Sequence, residues 1–350
     1  MTPLTVQLLS TRRDWADFVR LKENIYLPLT GERESAREEV RDLKYTSLLS
    51  NSTKRQVAFL ARRGEEPVGR IVAMEDSLHP KSHQGFFGFF ECIEDPKAAR
   101  CLLEAAGNQL KQWNKTEMLG PISGSTNEKV GIIIQGFQTL PQEYLTYNPS
   151  YYQQLLEGAG LVKAMDLFSY LWHDLLPLPP KVLRVAKRIK NQSAIRLYFP
   201  PLQGQKEARD FQSLYNESLA GNWGFIPLSL EEARNLLSSY QRLPDPELLL
   251  RMDVEGEPAG FCLMLLNSRK NLQPADPKLR IAVLGLKPRF RKTGLSAVLI
   301  LEILEIITRK GHRSAELSLI MENNRTVRSL IENTFQCPVL HQYRVYSRSL

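Results

Sequence analysis

The sequence lacks the features that mark a metal site, an exported protein or a membrane span. Its four cysteines include no CxxC pair, and no cysteine–histidine cluster has the spacing of a zinc site. The first residues do not show the charged and then apolar pattern of a signal peptide. No apolar run approaches the ~20 residues of a membrane-spanning helix. We therefore expect reduced thiols, no bound metal and a cytoplasmic protein, either soluble or peripheral to the inner face of a membrane.

The length and composition predict two domains. The chain has 350 residues, of which 43% are hydrophobic and 24% are charged, so it can form more than one core. Three prolines fall within residues 177–180, where they stop a helix or a central strand, and they mark a linker over residues 175–182. We expect an N-terminal domain over residues 1–174 and a C-terminal domain over residues 183–350. The formal net charge of +8 suits a phosphate-bearing ligand or an anionic surface.

Strand and helix patterns alternate along the first half. Residues 85–93 (GFFGFFECI) are apolar on both faces, which is typical of a buried central strand. Asp95-Pro96 then predicts the start of a helix that runs to about Lys115, because proline is favoured in a first turn. The other predicted elements are a strand at 6–9, a helix from Thr11, a hairpin of strands 55–62 and 68–75, a strand from 118 to 120 and a helix at 151–157.

The second half repeats features of the first half in the same order. Residues 66–69 (EPVG) and 257–260 (EPAG) both stand between a turn and a strand. An asparagine before a helix is followed 22 positions later by a strand tyrosine in both halves: Asn148 with Tyr170, and Asn324 with Tyr346. We therefore predict two diverged copies of one α/β unit.

A basic amphipathic stretch, residues 181–191, follows the linker. Its apolar residues recur at helical spacing among five lysines and arginines. Such a stretch is typical either of a solvated helix that covers one side of a core or of a helix at a membrane surface. The apolar positions are Val182, Val185, Ala186 and Ile189, and the basic ones are Lys181, Arg184, Lys187, Arg188 and Lys190.

A basic loop between a strand and a helix carries the main chemical signal. Residues 281–286 predict a strand that Pro288 ends, and residues 295–308 predict a long helix. The first amides of a helix have no partner within it, and the helix dipole adds positive charge there. A glycine in the loop lets a pyrophosphate approach the backbone closely. The order predicts a phosphate site, although an ordinary connection with surface cations has the same pattern.

The loop resembles motif A of the GNAT superfamily, Arg/Gln-x-x-Gly-x-Gly/Ala, here written as Arg291-x-x-Gly294-x-Ser296. The resemblance implies an α/β (α+β) fold of two tandem GNAT-like acyl-CoA N-acyltransferase domains, with mixed central sheets flanked by helices. It implies acyl-CoA as a co-substrate and no permanently bound cofactor. Many members have an asparagine, matched here by Asn324, that is followed seven residues later by a tyrosine. This sequence has Ile331 at that tyrosine position. The implied acyl-CoA contacts are Leu286, Arg289, Arg291, Lys292, Thr293, Gly294, Leu295, Ser296 and Asn324.

The first half has no comparable basic loop. Glu94-Asp95-Pro96 follows its central strand, and these carboxylates would repel phosphate. We therefore expect the N-terminal domain to be a degenerate GNAT-like domain that shapes an acceptor or lipid pocket. The architecture resembles that of the N-myristoyltransferases, in which one of two GNAT folds holds the donor.

Unusual strings along the chain resemble the bacterial ceramide-synthase-like group of GNAT proteins. They include residues 85–91 (GFFGFFE), 222–227 (NWGFIP) and 322–325 (ENNR). The resemblance implies transfer of a fatty acyl group from a thioester to the amine of a long-chain sphingoid base. An aromatic loop such as 222–225 can line an alkyl channel or form a packed corner. The implied substrate contacts are Asn222, Trp223, Phe225, Phe87, Glu91, Asn127 and Tyr147.

Acyl transfer to an amine needs a base for the ammonium proton, an oxyanion donor and an acid for the leaving thiolate. A backbone amide near Leu286 is the expected oxyanion donor in this fold. Glu316, Glu322 and His83 are candidate bases, and Tyr343 is a candidate acid. Each also has an ordinary structural explanation, as a surface carboxylate, a loop histidine or a core tyrosine.

Two other functions fit the same pattern. An aminoacyl-tRNA-dependent transferase also uses tandem GNAT folds, but the sequence shows no heptad run for the helical arm of such enzymes, and we expect no nucleic-acid partner. A non-catalytic ligand-binding protein on a GNAT scaffold is favoured by Ile331 and Ser296. The retained Arg291, Gly294 and Asn324 argue against it.

Overall fold

The computed structural model describes residues 2–31, 40, 43, 53–124, 128–142, 144–176, 178–192, 194–242, 245–267 and 277–350. The chain divides into two compact units, Met1–Leu167 with His341–Leu350, and Phe168–Leu340. This division differs from the predicted one, because the first unit ends before residue 174 and also takes the last residues of the chain. Each unit is a mixed sheet with flanking helices, so the predicted fold class is confirmed.

The first unit contains most of the elements that the sequence predicts for it. Its strands are β1 (Leu4–Leu8), β2 (Lys54–Arg63), β3 (Glu66–Asp76), β4 (Gln84–Cys92), β5 (Glu117–Gly120), β6 (Ile122–Ser123), β7 (Lys129–Val130) and β8 (Ile132–Gln135). Its helices are α1 (Arg12–Thr30), α2 (Pro96–Gln112) and α3 (Tyr152–Gly158). Strand β9 (Val162–His173) begins in this unit and ends in the second.

The second unit follows the same alternation. Its helices are α4 (Pro180–Gln192), α5 (Gln205–Leu219), α6 (Leu230–Gln241), α7 (Leu295–Arg309) and α8 (Arg325–Ser329). Its strands are β10 (Ile195–Tyr198), β11 (Leu249–Val254), β12 (Glu257–Leu266), β13 (Leu279–Leu286) and β14 (Ser314–Met321). Strand β15 (Val339–Ser349) begins here and ends in the first unit. Pro180 opens α4, so the proline-rich segment ends inside the predicted linker.

The strands of the two units follow the same order. Strands of the first unit lie in the order β1-β2-β3-β4-β5-β15, and those of the second in the order β10-β11-β12-β13-β14-β9. In both units the ladder is antiparallel up to the fourth strand, β4 or β13, which pairs in parallel with β5 or β14. A helix, α2 or α7, connects each parallel pair, as parallel strands require.

The ladder register shows that the two units are copies. The β2–β3 pairing shifts between Ala61 and Arg62, and the β11–β12 pairing shifts between Met252 and Asp253. Both irregularities lie opposite the matched EPVG and EPAG segments. The backbone therefore carries a bulge at the same place in both hairpins, which chance similarity of four residues would not produce.

Each unit ends with a strand whose tyrosine bonds to a carboxylate in a helical segment of that unit. Tyr170 of β9 donates to Glu332 Oε1 in the second unit, and Tyr346 of β15 donates to Glu157 Oε1, 3.0 Å away, in the first unit. The copies have thus exchanged their final strands. Pairing of β15 with β5, at Tyr346 and Gly120, explains why the last residues belong to the first unit.

The basic stretch forms α4, and its apolar face covers part of the core of the second unit. Val182 and Ala186 are buried against α7, while Lys181, Arg184 and Lys187 are exposed. The helix is therefore solvated on its charged side and packed on its apolar side.

Candidate functional site

Strands β13 and β14 separate soon after they pair. Three residue pairs join them, and the last pair is Ile281 with Leu317. Strand β13 continues to Leu286, bonded along its other edge to β12. The stretch from Ala282 to Leu286 therefore presents an open backbone edge within the second unit. An extended ligand can add to such an edge by main-chain hydrogen bonds.

The amide of Leu286 points to that open edge. Lys287 N donates to Ala259 O at 2.9 Å, and the neighbouring residue Leu286 ends β13, opposite Gly260. In an antiparallel ladder, the pair next to such a bond is not hydrogen-bonded to its partner strand. The N–H and C=O of Leu286 therefore face away from β12. The carbonyl is occupied, because Arg291 Nε donates to it at 3.1 Å. This geometry is compatible with the predicted use of the Leu286 amide as an oxyanion donor.

The loop after β13 presents a row of amides at the start of α7. Pro288–Phe290 form one tight turn, and Lys292 (φ 62°) and Gly294 (φ 91°) are left-handed. No acceptor for the amides of residues 292–296 occurs in the part of the chain that the structure describes, and Gly294 supplies no side-chain cap. Successive free amides at a helix N-terminus form a concave site for an anion.

Gly294 is required there for two reasons. Its positive φ suits glycine far better than a residue with a side chain. A Cβ at this position would also lie 3.0 Å from both Val185 Cγ1 and Ile189 Cγ1 of α4. Helix α4 therefore supports the loop from behind, which the sequence pattern of the loop alone does not show.

The Arg291 side chain is exposed, and its guanidinium bonds to two backbone carbonyls and holds the loop together. Its Nε bonds to Leu286 O, and its Nη2 donates to Ser218 O at 2.8 Å, near the end of α5. The arginine thereby ties the end of β13 to the end of α5. The sequence pattern identified Arg291 but missed Ser218, because that contact joins residues 73 positions apart.

The other cations of the loop differ in how they are used. Lys287 Nζ pairs with Glu217 at 3.0 Å, and the pKa of Glu217 is lowered by hydrogen bonds from Ser213 and Lys287. Arg289 pairs with Glu257. Lys292 is exposed and has no ion-pair partner among the residues described. Of the predicted cationic contacts, Lys292 is therefore the most available to a phosphate.

The corresponding position of the first unit is already filled by a carboxylate. Asp95 Oδ1 accepts from the amides of Lys97 and Ala98 at 3.0 and 3.1 Å, and Asp95 also pairs with Arg63. Burial raises the pKa of Asp95, but the Arg63 and amide hydrogen bonds outweigh it and hold the pKa below its usual value. Helix α2 thus carries its own anion, as the Glu94-Asp95-Pro96 sequence predicts.

The remaining donor-site candidates lie around the same loop. Leu295 is buried, Ser296 is half-buried, and Thr293 Oγ1 donates to Phe290 O at 2.7 Å. Asn324 caps α8, since its Oδ1 accepts from Val327 N at 3.3 Å. The side-chain oxygen of Asn324 therefore serves the helix, and Ile331 is buried in the core.

The candidate bases of the second unit occupy different environments. Glu316 is fully buried in β14 and stands opposite Arg280, whose Nε donates to Ser318 Oγ at 2.8 Å. Glu322 follows β14 and is half-buried. A half-buried carboxylate can exchange its proton directly with solvent, whereas a fully buried one needs a chain of hydrogen-bonding groups, so the surroundings of Glu322 favour a base more than those of Glu316.

His83 and Tyr343 lie in the first unit. His83 precedes β4, at the paired end of β4 and β5, and its Nε2 is 3.6 Å from Glu117 Oε2. Tyr343 is fully buried, with its ring centroid 6.1 Å from that of His341. Neither residue belongs to the compact unit that contains Arg291 and Gly294.

The first-unit substrate candidates are engaged in packing. Phe87 is fully buried, and Tyr147 O accepts from Tyr26 Oη at 2.6 Å. Glu91 Oε2 accepts from Tyr152 Oη at 2.7 Å, while Glu91 Oε1 is 3.6 Å from Arg70 Nη2. Asn127 lies outside the described residues.

The aromatic loop after α5 is only half-buried. Phe225 packs on Tyr215, with ring centroids 6.3 Å apart, and so forms part of the core edge. Asn222 is exposed, and Trp223 is half-buried. Because Ser218 lies in the last turn of α5, the Arg291 contact also positions the start of this loop.

The four cysteines are free, and burial raises the pKa of Cys92 and of Cys337 to about 12. Within the described ranges, no group of His, Cys, Asp and Glu side chains is arranged to hold a metal ion. No helix in those same ranges is both long enough and apolar enough to span a membrane.

Solved structures place the fold among the GNAT proteins. A GCN5-related N-acetyltransferase from Sphaerobacter thermophilus matches with a TM-score of 0.55 and 16% identity, over 99% of this chain and 95% of that one. A tandem GNAT protein from the clavulanic acid biosynthesis pathway matches with a TM-score of 0.57 and 11% identity, over 99% and 98%. The predicted tandem GNAT-like fold is therefore confirmed.

Curated relatives are similar along most of the sequence, although no protein-family model matches it. A protein named bacterial ceramide synthase, from Caulobacter vibrioides, is 27% identical over 320 residues, which cover 83% of both chains. Protein YghO of Escherichia coli is 23% identical over 324 residues, covering 84% of this chain and 82% of that protein. The predicted resemblance to the bacterial ceramide-synthase-like group is confirmed, and this relative together with the N-acetyltransferase structures supports an acyltransferase.

Proposed function

We propose that this protein is an N-acyltransferase that moves a fatty acyl group from acyl-CoA to the amine of a long-chain sphingoid base. The uncapped row of amides at the start of α7 is the observation that carries the donor half of the proposal. The similarity to a ceramide synthase supports the acceptor half. The GNAT-like fold supports transfer to an amine.

The donor would bind along the open edge of β13. Free amides of residues 292–296 and the Lys292 ammonium would hold the pyrophosphate, and the backbone from Ala282 to Leu286 would bond the pantetheine arm. This arrangement directs the thioester along the strand, with its carbonyl within reach of an outward-facing amide. The first unit offers no such site, because Asp95 caps α2.

The reaction joins the acceptor nitrogen to the thioester carbonyl carbon and breaks the carbon–sulfur bond. The Leu286 N–H would stabilise the oxyanion that forms between these two events. A base must take one proton from the attacking amine, and we assign that role to Glu322 because it reaches solvent. The coenzyme A thiolate leaves and takes a proton from water or from a nearby side chain.

A single substitution can give α7 the carboxylate that α2 already has. Thr293→Asp would place a negative charge beside the free amides, and Thr293→Asn has nearly the same shape without the charge. We expect Thr293→Asp to weaken palmitoyl-CoA binding by about 30-fold, since a charge at a helix N-terminus is worth up to ~2 kcal/mol. Calorimetric titration with palmitoyl-CoA, acetyl-CoA and free coenzyme A measures the effect.

The titration tests both whether acyl-CoA is the donor and whether a long acyl chain is preferred. Tighter binding of palmitoyl-CoA than of acetyl-CoA, lost in Thr293→Asp and kept in Thr293→Asn, is the expected result. No binding of any of the three ligands to the unsubstituted protein would remove the donor site. The tRNA-dependent and non-catalytic functions would then fit the sequence better.

Mass spectrometry of the products tests the acceptor. The protein is incubated with palmitoyl-CoA and either a C18 sphingoid base or serinol, which carries the same aminodiol group without the alkyl chain. We expect an amide product from the sphingoid base and little or none from serinol. Equal use of the two amines would show that no alkyl chain is recognised and would overturn the lipid acceptor.

A further inference from the structure

A strongly basic helix face lies beside residues 287–294, the loop between β13 and α7 that would hold the donor. Helix α4 contains five lysines and arginines and no acidic residue. Lys181, Arg184, Lys187 and Arg188 are exposed and form no ion pair with any residue that the structure describes. Lys190 is 3.5 Å from Glu302. This arrangement leaves four positive charges without a counter-charge on one helix.

The position of this face connects it with the donor. Val185 and Ile189 of α4 lie against the Gly294 position, so the helix that carries the charges also supports the loop of residues 287–294. Lys181, Arg184 and Arg188 are spaced by three and four residues and form a stripe beside Val185. A partner bound to this stripe would lie next to the amides of residues 292–296.

A small coenzyme does not need so extended a positive surface. The amides and Lys292 suffice for one pyrophosphate, whereas the stripe spans two turns of helix, about 10 Å. A macromolecule with clustered carboxylates would be complementary to it in charge.

We infer that α4 is the docking surface for an acidic carrier protein that presents the acyl chain on a phosphopantetheine arm. The inference rests on the proposed function and adds a carrier-bound acyl donor that the same loop accepts beside acyl-CoA. The single phosphate of the arm would bind the amides of residues 292–296, and the acidic surface of the carrier would bind the Lys181–Arg184–Arg188 stripe. Leu183, 40% exposed at the edge of the face, adds an apolar contact.

The packing of α4 favours a protein over a lipid bilayer. An interfacial helix inserts its apolar face among lipid chains. The apolar face of α4 is unavailable, because Val182 and Ala186 are buried within the second unit. Leu175 and Leu178 are exposed ahead of the helix, so binding to anionic vesicles is the competing outcome that the experiment must separate.

The test compares two double charge reversals of equal size. Lys181→Glu/Arg188→Glu reverses two charges of the α4 stripe, and Lys97→Glu/Lys111→Glu alters two exposed lysines of α2 in the first unit. The donors are palmitoyl-acyl carrier protein and palmitoyl-CoA, with the same sphingoid base as acceptor. Cosedimentation with phosphatidylglycerol vesicles is measured in parallel for all three proteins.

We expect the α4 variant to lower kcat/KM for palmitoyl-acyl carrier protein by about tenfold, because contact-surface charges mainly change association. Its kcat/KM for palmitoyl-CoA should stay within about twofold of the unsubstituted value, and the α2 variant should match the unsubstituted protein with both donors. Use of palmitoyl-CoA without use of the carrier protein would overturn this inference and leave the proposed function standing. Use of neither donor would overturn both.

An equal loss with both donors in the α4 variant would also overturn the carrier surface. So would unchanged carrier kinetics together with lost vesicle binding, which would identify α4 as a membrane surface.

Discussion

The two helix starts that follow the fourth strands, at α2 and α7, occupy equivalent places in two copies of one fold. At α2, Asp95 bonds to the first amides and pairs with Arg63. At α7, Gly294 offers no side chain, and the amides of residues 292–296 lack a partner among the described residues. One copy satisfies its helix start internally, and the other has no such internal partner among the described residues. In the proposed function, the same backbone geometry therefore stabilises α2 and binds the donor at α7.

A second difference lies in the strand pairs that precede these two helices, β3–β4 and β12–β13. Arg70 and Glu91 face each other across β3 and β4, where the second unit has Phe261 and Gly285. The first unit therefore buries an ion pair in the place where the second packs an aromatic ring against glycine. A Cβ at Gly285 would lie 2.6 Å from Phe261 Cε1, so the ring requires the glycine.

Breaking the buried ion pair should have the largest effect. Glu91→Ala removes the carboxylate beside the fully buried Arg70, and we expect the free energy of unfolding to fall by about 3–5 kcal/mol. Urea denaturation followed by circular dichroism measures the change. Glu91→Gln, which can still accept from Tyr152, should cost less. A loss of transfer activity without a loss of stability would instead make Glu91 a substrate contact.

The two asparagines of the repeat should differ in importance. Asn148 is buried, accepts from Ile133 N at 2.7 Å and donates to Ile133 O and Pro149 O, whereas Asn324 only caps a short helix. We expect Asn148→Ala to cost about 2–3 kcal/mol of unfolding free energy and Asn324→Ala about 0.5–1 kcal/mol. Equal effects in thermal or urea unfolding would mean that the asparagines do the same work in both copies.

A glycine stands at each end of α7, and a comparison of their alanine substitutions distinguishes backbone strain from an effect on ligand binding. Gly294 and Gly311 both have positive φ, but the Cβ space at Gly311 is open. We expect Gly311→Ala to cost about 1–2 kcal/mol of unfolding free energy. Gly294→Ala should cost at least as much, because its Cβ would also crowd Val185 and Ile189. Only Gly294→Ala should also weaken palmitoyl-CoA binding in calorimetry. Weaker binding in Gly311→Ala of similar size would point to a general loss of helix order.

Removing the internal anion of the first unit should have a small effect on stability and none on donor binding. Asp95→Ala deletes a helix cap, which costs about 1 kcal/mol, and leaves palmitoyl-CoA binding unchanged. The pKa of Asp95 is lowered by folding, so its carboxylate stabilises the protein at neutral pH, and this contribution is lost as pH falls through the lowered pKa. Unfolding free energies of the two proteins should therefore converge below about pH 4. A difference that stays constant into acid would show that the charge of Asp95 contributes nothing.

Local sequence patterns predicted most elements because their causes are local. Thr11 and Asp14 form a capping box at the start of α1, and Asp95 with Pro96 starts α2. The hairpin of β2 and β3 and the basic amphipathic helix α4 were predicted within a few residues of their ends. The contrast between a capped α2 and an uncapped α7 was also predictable, since it depends on which residues stand at each helix start.

The predicted roles of single side chains were less accessible. Arg291 was identified from its motif, but its guanidinium bonds to two carbonyls, one of them from Ser218 in a distant helix. Asn324 matched a family position, yet its side-chain oxygen caps α8. These roles depend on which groups are in contact in the folded chain, and the spacing of residues along the sequence does not give those contacts.

By itself, the sequence determined the alternating α/β pattern, the repeat, and which of the two equivalent helix starts has a carboxylate cap and which does not. Those features follow from hydrophobic periodicity, turn residues and charge, which act over a few neighbouring positions. Only the tertiary structure decided that the final strands are exchanged, that α4 supports Gly294, and that Glu91 lies beside Arg70 in the first unit. Such contacts join residues far apart in the chain, and burial and pairing between them are settled only when the sheets form.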